Sequence, residues 1–314
     1  MVVQGILINI LFGQDIEIPY SMKTQSPDTS IEAERVLVEL IRKASVSKRL
    51  KLVQSMTQGT FLANIHAWRE NHPEANEQEA AVIFVSMSYG PQLAQYTQTA
   101  LAIRKDWHLQ PVCLLDVIEE MSNLLNSVGV PCYLGGSIAS SLYGMQQLAQ
   151  DIDLIIDIPS QGISLSSFIT LISSLNPYYI FDEHVMQQAF CQHTAFSLLH
   201  LDTLIKIDVI VKNRRTFSLS QPQEIHTLML DERHTGVRVT SVYEMILFKL
   251  HRYHQDQVSR RDGMTNDIEW NDILGMLKVQ GPLLDLLFFE QEVWHLRLED
   301  IWKLVLVDAG LRNA

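Results

Sequence analysis

The chain has 314 residues, 47% of them apolar, and a formal net charge of −12. That length corresponds to about two domains with enough apolar content to bury their cores. The acidic balance argues against coating of nucleic acid by bulk charge, since phosphates are repelled unless a local basic face or a bound cation intervenes. Cys113, Cys132 and Cys191 are odd in number and form no CxxC pair, which fits a reducing, cytoplasmic setting better than a disulfide framework.

The first apolar stretch, GILINILF, lacks a basic flank and falls far short of the roughly 20 residues of a spanning helix. It predicts neither a signal peptide nor an anchor, and no membrane partner is expected. Polar, turn-like KTQSPDTS follows Met22, so a translation start at Met22 is expected, with residues 1–29 a poorly ordered extension.

From Ser30 to about Lys105, apolar residues recur at helical spacing through Ile31, Val36, Val38, Leu40, Ile41, Leu50, Val53, Met56, Phe61, Ile65 and Trp68. Breakers at His72-Pro73 and Gly90-Pro91 cut the stretch into three or four helices, and Asn76 with Glu79 makes a capping-box start. A small all-helical module over 30–105 is predicted. Its basic cluster (Arg42, Lys43, Lys48, Arg49, Lys51) reads first as a solvated helix face and second as a nucleic-acid contact.

Beyond Gln110 strands and helices alternate. LLDVIEEMSNLLNSVG is an amphipathic helix ending at Gly129, and PCYLGG a short buried strand running into glycines. LIIDI (154–158) suits a strand covered on both faces, and SLSSFITLISSLN a helix packed over it. TAFSLLHL and LIKIDVIV are separated by Asp202 and Thr203 alone, a hairpin-length connection. Helices return in SVYEMILFKLHRYHQ, DIEWNDILGMLKVQ and LEDIWKLVLVDAG. Met264, Trp270, Met276, Trp294 and Trp302 are most simply core, and His251 with His254, lacking an HExxH or a cysteine pair, surface histidines.

The stretch that carries chemistry is YLGGSIASSLYGMQQLAQDIDLIIDIP (133–159). Gly135, Gly136 and Ser137 sit where a strand turns into a helix, so free backbone N–H groups and a hydroxyl can face a phosphate. Asp151 and Asp153, at i and i+2 on a strand, point to one side. Two like charges there need a cation. Asp208 on KIDVIV completes a three-carboxylate cage if its strand pairs beside the first, and an all-oxygen cage suits Mg²⁺. Lys206, two residues before Asp208, shares its face and either neutralises phosphate or merely flanks the strand.

GGS, a helix, DID on an apolar strand and a third Asp on a later strand together resemble the polymerase-β-like nucleotidyltransferase superfamily. From about Leu114 to Ala309 the chain resembles bacterial AbiEii-type toxins and related nucleotidyltransferases, with SVYEMILFKL and WNDILGMLKVQ in the place of their downstream helices. The resemblance implies an α+β fold: a mixed sheet with flanking helices over 110–314, C-terminal helices from about 240, and the all-α module in front. It also implies two Mg²⁺ ions held by Asp151, Asp153 and Asp208, and NTP phosphates met by Gly136 and Ser137. Lys249 would hold the triphosphate and Asp272 would support that lysine or the acceptor. As alternatives, Lys249 is a solvated helix residue and Asp272 a helix-face pair.

Many relatives have Arg and Thr where this chain has Gln147 and Ala149. The leading expectation is an enzyme that moves NMP from an NTP to a hydroxyl on an RNA end, a tRNA or a protein, toxin-like and with a possible cognate antitoxin. The alternative is a catalytically weak nucleotide-sensing or antitoxin-like module. A small-molecule adenylyltransferase would need an acid-lined acceptor pocket, to which Asp272 and Glu269 point.

Overall fold

The structure, a computed structural model, describes residues 22–111, 113–158, 163–175, 177–212, 226–228, 237–259 and 267–312. The expectations for residues 1–21 and for Met264 lie outside them. The helices are α1 (Ile31–Lys43), α2 (Val46–Asn71), α3 (Glu77–Tyr89), α4 (Pro91–Ile103), α5 (Leu114–Ser127) and α6 (Gly136–Tyr143). They continue as α7 (Leu165–Ser173), α8 (Glu183–Gln192), α9 (Val242–Ser259), α10 (Asp267–Gln280), α11 (Leu286–His295) and α12 (Glu299–Asp308). The strands are β1 (Cys132–Leu134), β2 (Asp151–Ile156), β3 (Tyr179–Phe181), β4 (Ala195–His200), β5 (Ile205–Val211), β6 (His226–Leu228) and β7 (Val237–Val239).

The fold is α+β. Packing divides the chain into two compact units, one of residues 44–248 and one formed by the chain up to Lys43 together with that from Lys249 onward. The division falls inside α9. These boundaries differ from the expected separation of 30–105 from 110–314, and the reason is buried polar bonding. The Arg49 guanidinium donates to the Leu142 carbonyl at 2.6 Å. The Thr57 hydroxyl donates to the Ala149 carbonyl at 3.1 Å and accepts from the Ala149 N–H at 3.3 Å. An unmatched backbone group in such a place costs about 1–3 kcal/mol, so α2 is bonded into the sheet-bearing unit. The basic cluster splits accordingly: Arg49 is buried, while Lys48 and Lys51 stay exposed.

In this unit the strands make one mixed sheet of order β3-β4-β5-β2-β1-β7-β6. β4 and β5 form the expected antiparallel hairpin, turning through Leu201–Leu204. β5 pairs parallel with β2, and β2 antiparallel with β1. Side chains alternate across the sheet. Ile152, Leu154 and Ile156 of β2 and Ile205, Ile207, Val209 and Val211 of β5 are buried on one face. The other face carries Asp151, Asp153 and Ile155 of β2 with Lys206, Asp208 and Ile210 of β5, all half-buried. LIIDI, expected to be covered on both faces, is within β2 fully buried on one and half-covered on the other, the face on which β2 also carries Asp151 and Asp153. The capping box at Asn76 is present, and α2 and α3 end at Asn71 and Tyr89 beside the two breakers.

In the second unit α1 lies against α10. Lys278, whose side chain is 0% exposed, is ion-paired with Glu34 and donates to the Lys23 carbonyl at 2.6 Å. Arg42 reaches the Lys278 and Val279 carbonyls at 2.5 and 3.2 Å, so it too leaves the basic cluster. Burial pulls the Lys278 ammonium below the usual lysine range, against the stabilising hydrogen bond to Glu34. Trp270, Met276 and Trp302 are core as expected. Trp294 is not: it is 64% exposed on α11, a helix the sequence reading passed over.

Candidate active site

β1 ends at Leu134, and Gly135 prolongs its ladder by donating to the Asp153 carbonyl at 2.9 Å. The chain then turns through Gly136, at φ +60°, into α6. A Cβ on Gly136 would stand 1.6 Å from Asp153 Oδ2. The second glycine therefore serves two purposes, a left-handed backbone and an approach to Asp153 that no side chain permits. That approach places the Asp153 carboxylate at the start of α6, where the helix dipole favours negative charge. Next to it, the Ser137 hydroxyl oxygen is buried and has no hydrogen-bond partner among the described residues.

Gly136→Ala is therefore expected to destabilise the unit by about 2 kcal/mol, combining left-handed strain with displacement of Asp153. Urea unfolding measures it. An alanine variant as stable as the parent would show that the elbow is not built in this way.

The register of the parallel pair sets Asp153 opposite Asp208 and Asp151 opposite Lys206. The Lys206 ammonium reaches across to Asp151 Oδ2 at 3.1 Å and along its own strand to Asp208 Oδ2 at 2.7 Å. The other Asp208 oxygen accepts the Ser197 hydroxyl of β4 at 2.6 Å. Burial opposes the Lys206 charge, but the hydrogen bond to Asp208 and the charges of Asp208 and Asp151 hold it above the usual lysine value. Tyr89, at the end of α3, closes one side. Its ring centroid is 5.7 Å from the Lys206 ammonium and its hydroxyl donates to the Gln150 carbonyl at 3.1 Å. Burial raises the Tyr89 phenol far above its usual range; a backbone hydrogen bond at Lys206 works against this, while the Asp151 and Asp208 charges add to it.

Among the described residues no three His, Cys, Asp or Glu side chains stand together as a ready metal site. The Lys206 ammonium lies between Asp151 and Asp208. Oxygen donors of the kind a divalent cation takes do share this part of the fold: Asp151, Asp153 and Asp208 are half-buried on one sheet face, the Ser137 hydroxyl at the start of α6 is orphaned, and the Lys206 ammonium pairs with Asp151 and Asp208.

No family model and no curated protein matches the sequence. Solved structures do. An antigenic nucleotidyltransferase-like protein from Paracoccidioides brasiliensis is 19% identical, with 63% of this chain and 91% of that chain covered and a TM-score of 0.41. mtPAP in complex with ATPγS is 10% identical over 81% of this chain and 46% of its own, with a TM-score of 0.22. Vibrio cholerae DncV cyclic AMP-GMP synthase, in complex with nonhydrolyzable GTP, is 14% identical over 80% and 61%, with a TM-score of 0.20. This chain spans about half to three fifths of the last two. No helix among the described residues is long and apolar enough to cross a membrane.

Lys249 and Asp272 lie in the other compact unit. The Lys249 ammonium is buried, paired with Asp272 and 2.8 Å from Glu269, which also takes Arg252 at 3.1 Å. Burial works against the Lys249 charge, yet Asp272 and Glu269 keep it above the usual lysine range. The lysine is thus no solvated helix residue, and its charge is balanced inside its own unit. His251 and His254 are half-buried on α9 and belong to no metal cluster among the described residues. Ala149 is buried with both backbone groups bonded to Thr57. Two neighbours of the carboxylates escaped the sequence reading. Ser197 carries a weak signal, a polar residue at an outward position of an apolar strand. Tyr89 carries none, since only tertiary packing brings it to the site.

Proposed function

We propose that the 44–248 unit is a Mg²⁺-dependent nucleotidyltransferase that moves NMP from an NTP to a hydroxyl acceptor. The observation that carries this reading is the Asp153 carboxylate held against Gly136 at the start of α6, with Asp208 in register on the next strand. Phosphates are met by the turn: the N–H groups of Gly136 and Ser137 and the Ser137 hydroxyl supply donors at a helix N-terminus. Asp151, Asp153 and Asp208 would hold two Mg²⁺ ions, which would supply charge stabilisation at the α-phosphate and at the leaving pyrophosphate. Asp208 orients the acceptor hydroxyl and takes its proton as the acceptor oxygen bonds to the α-phosphorus and the bond to pyrophosphate breaks. The acceptor class is an RNA end, a tRNA or a protein side chain, and a toxin-like role with a cognate antitoxin accords with the bacterial toxin resemblance.

One observation favours a second reading, a nucleotide-sensing module: both Asp208 oxygens already have donors, Ser197 and Lys206. Incubating the purified chain with each labelled NTP, Mg²⁺ or Mn²⁺, and total tRNA or cell extract separates the two. Label in RNA or protein is the expected result. NTP binding without transfer to any acceptor would replace the enzyme reading with the sensing one.

A further inference from the structure

We propose that Lys206 is a built-in counter-ion of the carboxylate site, one that divalent cations must displace, so that metal entry and Lys206 release form a single exchange. The inference rests on the reading of the site as a nucleotidyltransferase centre and assigns a positioning residue that the reading does not require.

Three features of the site support it. The first is placement. Lys206 is no incidental surface lysine: its side chain is 20% exposed and it contacts carboxylates on two strands, Asp151 of β2 and Asp208 of its own β5. The second is competition for the same oxygens. Asp208 Oδ1 accepts the Ser197 hydroxyl at 2.6 Å and Oδ2 accepts the Lys206 ammonium at 2.7 Å. A divalent ion drawing on the same Asp151 and Asp208 oxygens would compete with the ammonium for them, and two positive charges repel strongly in a partly desolvated site. The third is that the displaced group has somewhere to go. The Tyr89 ring already lies 5.7 Å from the ammonium, and a flexible four-carbon stem lets the charge settle on that aromatic face or turn toward a bound phosphate.

The exchange also follows from charge. The Lys206 ammonium is the positive charge that Asp151 and Asp208 share. Taking the lysine charge away removes the competitor and deepens the negative potential, so both effects act in the same direction on metal affinity.

The test is Mn²⁺ binding to the full chain, measured by electron paramagnetic resonance and by the metal-induced rise in Tm, without any turnover. Lys206→Met is expected to bind Mn²⁺ at least about tenfold tighter than the parent and to gain more in Tm on binding. Lys206→Arg, which keeps the charge and grips carboxylates with a planar fork, is expected to bind no tighter than the parent. Lys206→Gln, polar and close in length, serves in place of the methionine variant should that one fail to fold, and is expected to tighten binding likewise. Asp153→Asn should weaken binding in both the parent and Lys206→Met, placing the ion at these carboxylates. Parent binding with unchanged or weaker affinity in the neutral variants would overturn the counter-ion role alone. No Mn²⁺ binding in the parent or any Lys206 variant would overturn it together with the metal-dependent reading of the site.

Discussion

Asp153→Asn is expected to lower nucleotidyl transfer by at least about 10²-fold, the scale of losing one preorganised charged group. The substitution is nearly isosteric, so the close fit of residue 153 against Gly136 survives and the sheet keeps its hydrogen bond from Gly135 to the residue 153 carbonyl. What changes is one negative charge at the junction of β2 and α6. Nucleotide binding can persist, because the N–H groups of Gly136 and Ser137 do not depend on that charge, so the loss should appear in kcat more than in KM. A single-turnover assay with labelled NTP and a validated acceptor reads the rate directly. Equal rates for parent and variant would falsify the proposed role of these carboxylates.

Much of this site could be read from the sequence because it is local. The i, i+2 spacing puts Asp151 and Asp153 on one face of any strand, and two adjacent glycines before a helix announce a turn that no side chain can enter. The β4–β5 hairpin was legible from the short gap at Asp202 and Thr203, and it carries Asp208 to the sheet. What could not be read is what distant segments bring. Nothing around Lys206 shows that it sits between two carboxylates, because that depends on parallel register with a strand some fifty residues earlier. Ser197 and Tyr89 reach the site only through tertiary packing.

The basic run of α1 and α2 misleads for a similar reason. Periodicity cannot reveal that the Arg42 and Arg49 guanidinium groups satisfy backbone carbonyls from other parts of the chain. Nor does the pattern separate a helix that ends a module from one that joins another. α1 reads as the start of a helical bundle, but its partner is α10, more than two hundred residues away.

That partnership gives the largest expected effect on stability. Lys278→Met should destabilise the chain by about 3–5 kcal/mol, because it leaves the Glu34 carboxylate buried without its cation. Glu34→Gln should cost a similar amount by stranding the ammonium, although the Lys23 carbonyl at 2.6 Å still accepts one of its hydrogens. The double variant Lys278→Met/Glu34→Leu removes both charges and fills the space with apolar atoms, so it should recover most of the loss, as expected of a strongly coupled pair. Urea unfolding of the parent, the two single variants and the double variant measures all of this. Single variants within about 1 kcal/mol of the parent, the scale of an exposed ion pair, would mean that Glu34 and Lys278 are solvated and that α1 is not fastened to α10 by a buried charge pair.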